Sequence, residues 1–280
     1  MICKHYGMLI TALIFVGVGC GDPDIQDVPQ ACSMEGAQDC NLDEDSWIRV
    51  NSVEDLASVC EDACEQMYSL YFSDLREMEQ LTGFSWVKRV EVSLNISGLR
   101  NVHTLRGFDN LEFSNVVVLE NNFRLKTIEG FGALKEVNYL ELEQMDGIDT
   151  IQAFDNLEFM GPAGDFSDSF GFFLTSMDGI IHLEGLHKVR EAGIVAIQYN
   201  ENLESIDIMD SVEEIRSLSI RDNPKLSSLG EWPNLRRAHW GIEVHDTPNL
   251  RRCEVEALID QLEERPENVE LSGLSDAPCD

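Results

Sequence analysis

The amino-acid sequence predicts a β-solenoid, a right-handed parallel β-helix with a capping helix at each end. Three observations predict it. From residue 70 the chain repeats itself, with units beginning at Leu70, Leu94, Val117, Leu140, Phe172, Val195, Leu218 and Ile242, 23 or 24 residues apart except for one gap of 32. The third position of every unit is apolar (Phe72, Ile96, Leu119, Leu142, Leu174, Ile197, Ile220, Val244), and so is the ninth (Met78, Val102, Leu125, Ile148, Ile180, Leu203, Leu226, Leu250). The twelfth is Leu or Ile in seven units and Cys253 in the last. One such unit cannot bury its own apolar face, whereas a stack of them shares one continuous core.

The elements follow in chain order. Lys4 and His5 precede an apolar run, Met8 to Val18, that is too short to span a bilayer and reads as an export signal over residues 1–19. Small residues then lead to Cys20 in Val16-Gly17-Val18-Gly19-Cys20, which resembles a bacterial lipoprotein cleavage box and implies lipid on Cys20. An ordinary secretory signal cut nearby is the other reading. Residues 20–46, acidic and broken by Pro23 and Pro29, are expected to form a lipidated tether.

The repeat domain is expected over 47–279. Trp47-Ile48-Arg49-Val50 alternates like a short strand, and Ser52 with Asp55 has the form of a helix capping box. Val53, Leu56, Cys60, Ala63, Cys64 and Met67 then recur at helical spacing, which predicts an N-terminal capping helix over 52–67. Repeats fill 70–259, their first and third positions turned inward as a short strand before a turn rich in Asn, Asp and Gly. The gap of 32 becomes an inserted loop, Gly161 to Phe170. At the far end Val255, Leu258, Ile259 and Leu262 form a helical stripe, Pro266 ends it, and Val269 to Leu274 offers a last strand in a cap spanning 253–279.

Cysteine use fits export. With Cys3 in the signal and Cys20 lipidated, six remain: Cys32, Cys40, Cys60, Cys64, Cys253 and Cys279. An even count in an exported chain reads as disulfides. Cys253 and Cys279 flank the C-terminal helix and strand and are expected to pair; the pairing among Cys32, Cys40, Cys60 and Cys64 stays open. A metal site at Cys60-x-x-x-Cys64 lacks a second pair of ligands at finger spacing.

The units share the grammar L-x-I … N-x-x-L-x-x-L-x-G-F/L-x-x-L, as in LNISGLRNVHTLRGFDNL (94–111) and LSIRDNPKLSSLGEWPNL (218–235). With a cysteine-bearing C-terminal cap, it resembles the leucine-rich-repeat-type solenoid of the receptor L domain, known from the insulin and EGF receptor families, and more closely its bacterial secreted and lipoprotein versions. The resemblance covers roughly residues 47–279 and implies a binding scaffold whose sheet face touches a partner. The insertion, the helical entry with two cysteines and the lack of a following cysteine-rich module or transmembrane helix depart from the receptors and speak against receptor signalling.

Charge narrows the partners. Fifty-two acidic against 20 basic residues, a formal charge of −32, disfavour nucleic acid and anionic lipid surfaces. Outward strand positions, the second and fourth of each unit, line the sheet, and Val118, Phe173 and Thr175 sit there with the acidic residues Glu120, Glu141 and Glu143. Such a surface suits a protein that is basic at its rim. Phe166 and Phe170, in a loop the solenoid does not need, suggest an interaction knob.

Catalytic signatures are missing: the sequence has no G-x-S-x-G, phosphate loop or H-E-x-x-H. His182 and His187, five apart, straddle the core position Leu183, and Asp165 with Asp168, like Asp43-Glu44-Asp45, lacks calcium-loop spacing. No enzyme activity, cofactor or metal is expected. The expectation is a monomeric cell-envelope lipoprotein, at the outer membrane or cell surface, that binds a protein or glycan; the alternatives are a secreted or periplasmic location and a structural envelope or matrix protein without a dedicated ligand.

Overall fold

The computed structural model describes residues 47–52, 55, 65–75, 78–164 and 170–279. In chain order the strands are β1 (Trp47–Val50), β2 (Gln66–Ser73), β3 (Gln80–Leu81), β4 (Arg89–Ser97), β5 (Thr104–Leu105), β6 (Phe113–Glu120), β7 (Thr127–Ile128), β8 (Glu136–Glu143) and β9 (Phe159–Met160). They continue as β10 (Gly171–Thr175), β11 (His182–Gly185), β12 (Glu191–Gln198), β13 (Ser205–Ile208), β14 (Glu214–Arg221), β15 (Arg237–His245), β16 (Thr247–Arg251), β17 (Asn268–Leu271) and β18 (Leu274–Ser275). One α-helix, α1 (Arg252–Asp260), is present among the described residues.

The architecture is a parallel β-solenoid. One sheet runs its length in the order β1-β2-β4-β6-β8-β10-β12-β14-β15-β17, each strand contributed by the next coil. Short strands on the other flank form smaller parallel sheets, β3-β5-β7 and β11-β13. The register matches the sequence repeat: Ile48, Leu70, Leu94, Val117, Leu140, Phe172, Val195, Leu218, Ile242 and Val269 lie in one line of paired Cα positions, uninterrupted across the long gap.

Side chains at the third and ninth positions of all eight units are buried. At the fifteenth, Phe84, Phe108, Phe131 and Phe154 stack through successive coils with ring centroids 5.3, 5.4 and 5.0 Å apart. Leu186, Met209 and Trp232 continue that column. From β2 onward each coil leaves the main sheet through a left-handed residue at its fifth position, Asp74, Gly98, Asn121, Gln144, Ser176, Tyr199, Asp222, Asp246 and Gly273, with φ between 51° and 65°. Asn, Asp and Gly tolerate that conformation best, which is why they recur there.

Three coils place a buried asparagine at the next position. Asn122, Asn200 and Asn223 each accept a backbone N–H from a neighbouring coil or donate to the carbonyl of the strand before it: Leu99 N–H to Asn122, Met177 N–H to Asn200, and Asn223 to the Ile197 carbonyl, all 2.9 Å. These amides satisfy backbone groups that the turn takes out of the sheet.

At the C-terminal end Val255, Leu258, Ile259 and Leu262 are buried as expected, and α1 covers the last coil. Cys253 and Cys279 are disulfide-bonded, their Cα atoms 6.0 Å apart. The expected last strand is divided: β17 pairs with β15, then Gly273 turns the chain with φ of 65°, and β18 pairs with β16 on another side. The capping helix expected over 52–67 is not supported. Gln66 and Met67 belong to β2, where Met67 pairs with Val90 of β4, so sheet pairing overrides helical spacing there. Of the intervening residues only Asp55 and Glu65 are described; the Asp55 N–H donates to Ser52 Oγ at 3.1 Å, the first contact of a capping box, and the Asp55 carboxylate accepts the Asn51 N–H at 3.0 Å, one residue before the expected cap. Cys20, Cys32, Cys40, Cys60 and Cys64, with the whole of 1–46, lie outside the described residues.

Candidate functional site: the central face of the long sheet

Strand alternation decides which side chains face outward, and register decides which of them meet. On β6, β8 and β10, Val118, Glu141 and Phe173 are paired in one row, and Glu120, Glu143 and Thr175 in the row beside it. Six of the expected surface residues therefore gather on three adjacent strands. Glu120 and Glu143 are direct register partners, which puts two like charges about 4.8 Å apart at the backbone.

A further residue belongs to the site. Tyr139 lies one alternation upstream of Glu141, and its ring stacks on Phe173 with centroids 4.8 Å apart and planes 27° from parallel. Its register partner is Gly171, and Phe173 lies two residues further along that strand. The Tyr139 hydroxyl donates to Glu141 Oε2 at 2.9 Å. Val116 and Ile194, paired with Tyr139 and Gly171, continue this row as half-buried apolar side chains.

The electrostatics are one-sided. Burial raises the Tyr139 hydroxyl above its ordinary value, and the hydrogen bond to Glu141 with the charges of Glu141, Glu143 and Glu120 raises it further. The Glu143 carboxyl is likewise held above the usual range, by burial first and then by Glu141 and Glu120. Among the described residues none of these three carboxylates has an ion-pair partner. Elsewhere on the face Glu243 is paired with Arg221, and His245 Nε2 lies 3.6 Å from the Glu270 carboxylate.

The insertion opens beside this patch. It does not bulge from the flank of a coil but cuts a strand of the main sheet in two. Phe159 and Met160 of β9 fill the first part of the strand between β8 and β12, and β10 resumes at Gly171 in the same slot. Gly161 N–H donates to the Val137 carbonyl on leaving, and the Phe170 carbonyl accepts the Ile194 N–H on return, at 3.1 and 2.8 Å. Ala163 is buried, its N–H on Glu191 Oε1 at 2.8 Å. Phe170 is half-buried at the point of return; Phe166, Asp165 and Asp168 lie outside the described residues.

The remaining candidates do not converge. His182 Nδ1 meets Ser205 Oγ at 2.9 Å and His187 Nδ1 meets Asp210 at 3.2 Å, so the two histidines serve different partners. His182, Glu184, Asp207 and Asp210 border an open groove of about 590 Å³ on the opposite flank. Among the described residues there is no group of three or more His, Cys, Asp and Glu side chains placed to hold a metal ion, and no helix long and apolar enough to cross a membrane. Comparison with protein-family models, curated proteins and solved structures finds no match.

Proposed function

We propose that the protein is a non-catalytic cell-envelope lipoprotein, anchored through Cys20, whose solenoid binds a protein or glycan partner across the face of its long sheet. One observation supports this above the others. The centre of the face combines stacked, half-exposed aromatics, an apolar row and three carboxylates that, among the described residues, have no cationic partner, whereas a surface that only faces water has no need to hold like charges in register. Binding sites are where local rules of stability are broken and kept broken.

The export signal, the lipidation box and the acidic tether support a location at the outer membrane or cell surface, with the tether holding the solenoid off the lipid. The likeness of the repeat to the receptor L domain supports the same use of the sheet. Disulfides among Cys32, Cys40, Cys60 and Cys64 would close the N-terminal end as Cys253–Cys279 closes the other.

A titrated pull-down from solubilised envelope, comparing the native protein with Phe173→Ala and Phe166→Ala, tests the reading. One saturable partner, lost in either variant, is the expected result. Capture that never saturates, or that neither variant alters, would favour a structural envelope protein without a dedicated ligand.

A further inference from the structure

The chemistry of the central patch narrows its occupant. Covering the face strips water from Glu120, Glu141 and Glu143 together, and an ionised carboxylate taken out of water without a partner is strongly unfavourable. A neutral occupant leaves all three uncompensated. A second copy of this chain brings the same carboxylates to the contact, and nucleic acid or an anionic lipid surface adds charge of the same sign. Only a cationic occupant turns the cluster from a cost into an attraction.

The aromatics refine the choice. Tyr139 and Phe173 present a stacked pair whose flank borders the carboxylates, and Tyr139 is itself held by Glu141. A planar guanidinium stacks on an aromatic face while its N–H groups fork toward carboxylates, which the compact, strongly hydrated ammonium of lysine does less well. The protein builds such a contact for itself: the Arg89 guanidinium lies over the Phe113 ring, 3.7 Å from its centroid, with Glu91 as its ion partner. At the central patch the ring and the carboxylates are present and, among the described residues, the cation is missing.

We propose that this patch docks a basic segment of a protein partner, an arginine side chain lying on the Tyr139–Phe173 pair with its charge met by Glu120, Glu141 and Glu143. The inference rests on the binding reading above and gives that surface its partner class. Because the attraction is electrostatic, association is fast and falls with ionic strength.

The test is a titration of the full chain with labelled peptides of about nine arginines or nine lysines, and with a neutral oligosaccharide, at low and high salt. Saturable one-to-one binding of oligo-arginine is expected, weakened roughly tenfold in Glu120→Gln/Glu143→Gln and several-fold in Phe173→Ala, with oligo-lysine binding less tightly and losing little in Phe173→Ala. Glu184→Gln/Asp207→Asn removes the same charge from the opposite flank and is expected to change binding less than about twofold. The two Glu→Gln changes relieve repulsion at the surface, so these variants stay folded, which thermal unfolding verifies; Phe173→Leu, which removes the ring and keeps an apolar side chain of similar size on the strand, backs up Phe173→Ala if the latter loosens the sheet. Equal weakening by the opposite-flank variant would reduce the effect to net charge and overturn the proposal, as would tighter binding of the oligosaccharide. Absence of patch-dependent peptide binding, with the envelope partner still lost in Phe173→Ala, refutes the cationic occupant and leaves the binding reading standing; loss of both results removes both.

Discussion

Asn200 reaches across one coil to Asn223: its side-chain amide and its backbone N–H both donate to the Asn223 side-chain Oδ1, each at 3.1 Å. Asn223 in turn donates to the Ile197 carbonyl at 2.9 Å, so one buried side chain satisfies three groups that water cannot reach. Asn223→Ala removes these contacts, leaving the Asn200 side-chain amide only its longer bond to the Leu174 carbonyl at 3.4 Å, and is expected to cost about 3 kcal/mol. Asn249→Ala, which removes an exposed amide from the Pro224 carbonyl, should cost less than about 0.5 kcal/mol. Urea unfolding of the two variants measures the difference directly.

Phe131 sits between Phe108 and Phe154 in the aromatic column and is fully buried. Phe131→Ala opens a cavity that neighbouring coils cannot close and should cost about 3–5 kcal/mol. Phe131→Leu should cost under about 1.5 kcal/mol, because leucine already serves at the equivalent Leu186. A thermal-unfolding series at this position, with the cost rising with the volume removed, is the expected outcome.

The Cys253–Cys279 bridge closes a loop of 26 residues that includes α1 and β17. Chain-entropy arguments assign such a loop about 3.5 kcal/mol. Replacing both cysteines with alanine should lower the urea midpoint accordingly, and added reductant should then have no further effect on this end of the solenoid.

Two carboxylates should respond to pH with opposite signs. Glu143 is raised by burial and by Glu141 and Glu120, so its ionisation opposes the fold, and stability falls as pH rises past its ordinary value of 4.5. Glu214 is lowered, by its hydrogen bond with His239 first and by Arg237, so it supports the fold above 4.5 and that support is lost as pH falls through its folded value. Glu143→Gln is therefore expected to raise the unfolding midpoint near pH 7 and to bring no gain near pH 4, while Glu214→Gln lowers the midpoint near pH 7 with an effect that shrinks on acidification.

Much of this molecule is legible in its sequence because a coil's register is fixed by apolar positions that have no other place to go. Leu140 and Phe172 pair across a gap of 32 residues as the repeat predicts, since sliding the strand by one would turn every apolar side chain outward. Legibility fails where tertiary pairing competes with a local pattern. Met67 fits a helical stripe and a strand equally well, and the partner strand at Val90 decides. Sixth-position asparagines read as turn residues, and only the stacking of coils shows that their amides point inward.

The candidate site was half visible. Val118, Glu120, Glu141, Glu143, Phe173 and Thr175 were recoverable from alternation alone. Tyr139 was not, because the strands begin several residues before the first repeat position; β8 starts at Glu136, and extending the alternation back from Leu140 would have found the ring. The gap of 32 gives the length of the insertion but not its point of departure, which the division of one strand into β9 and β10 supplies.

That division makes the chain between Gly161 and Gly171 a natural grafting port. The excursion leaves and rejoins a single rung of the sheet, so its length is uncoupled from the pitch of every coil before and after it. Closing a longer excursion costs only about 0.6 kcal/mol per doubling. Foreign sequence, up to a small folded module with its termini close together, can be carried there beside the aromatic and acidic face, and whatever it carries is delivered to the same doorstep.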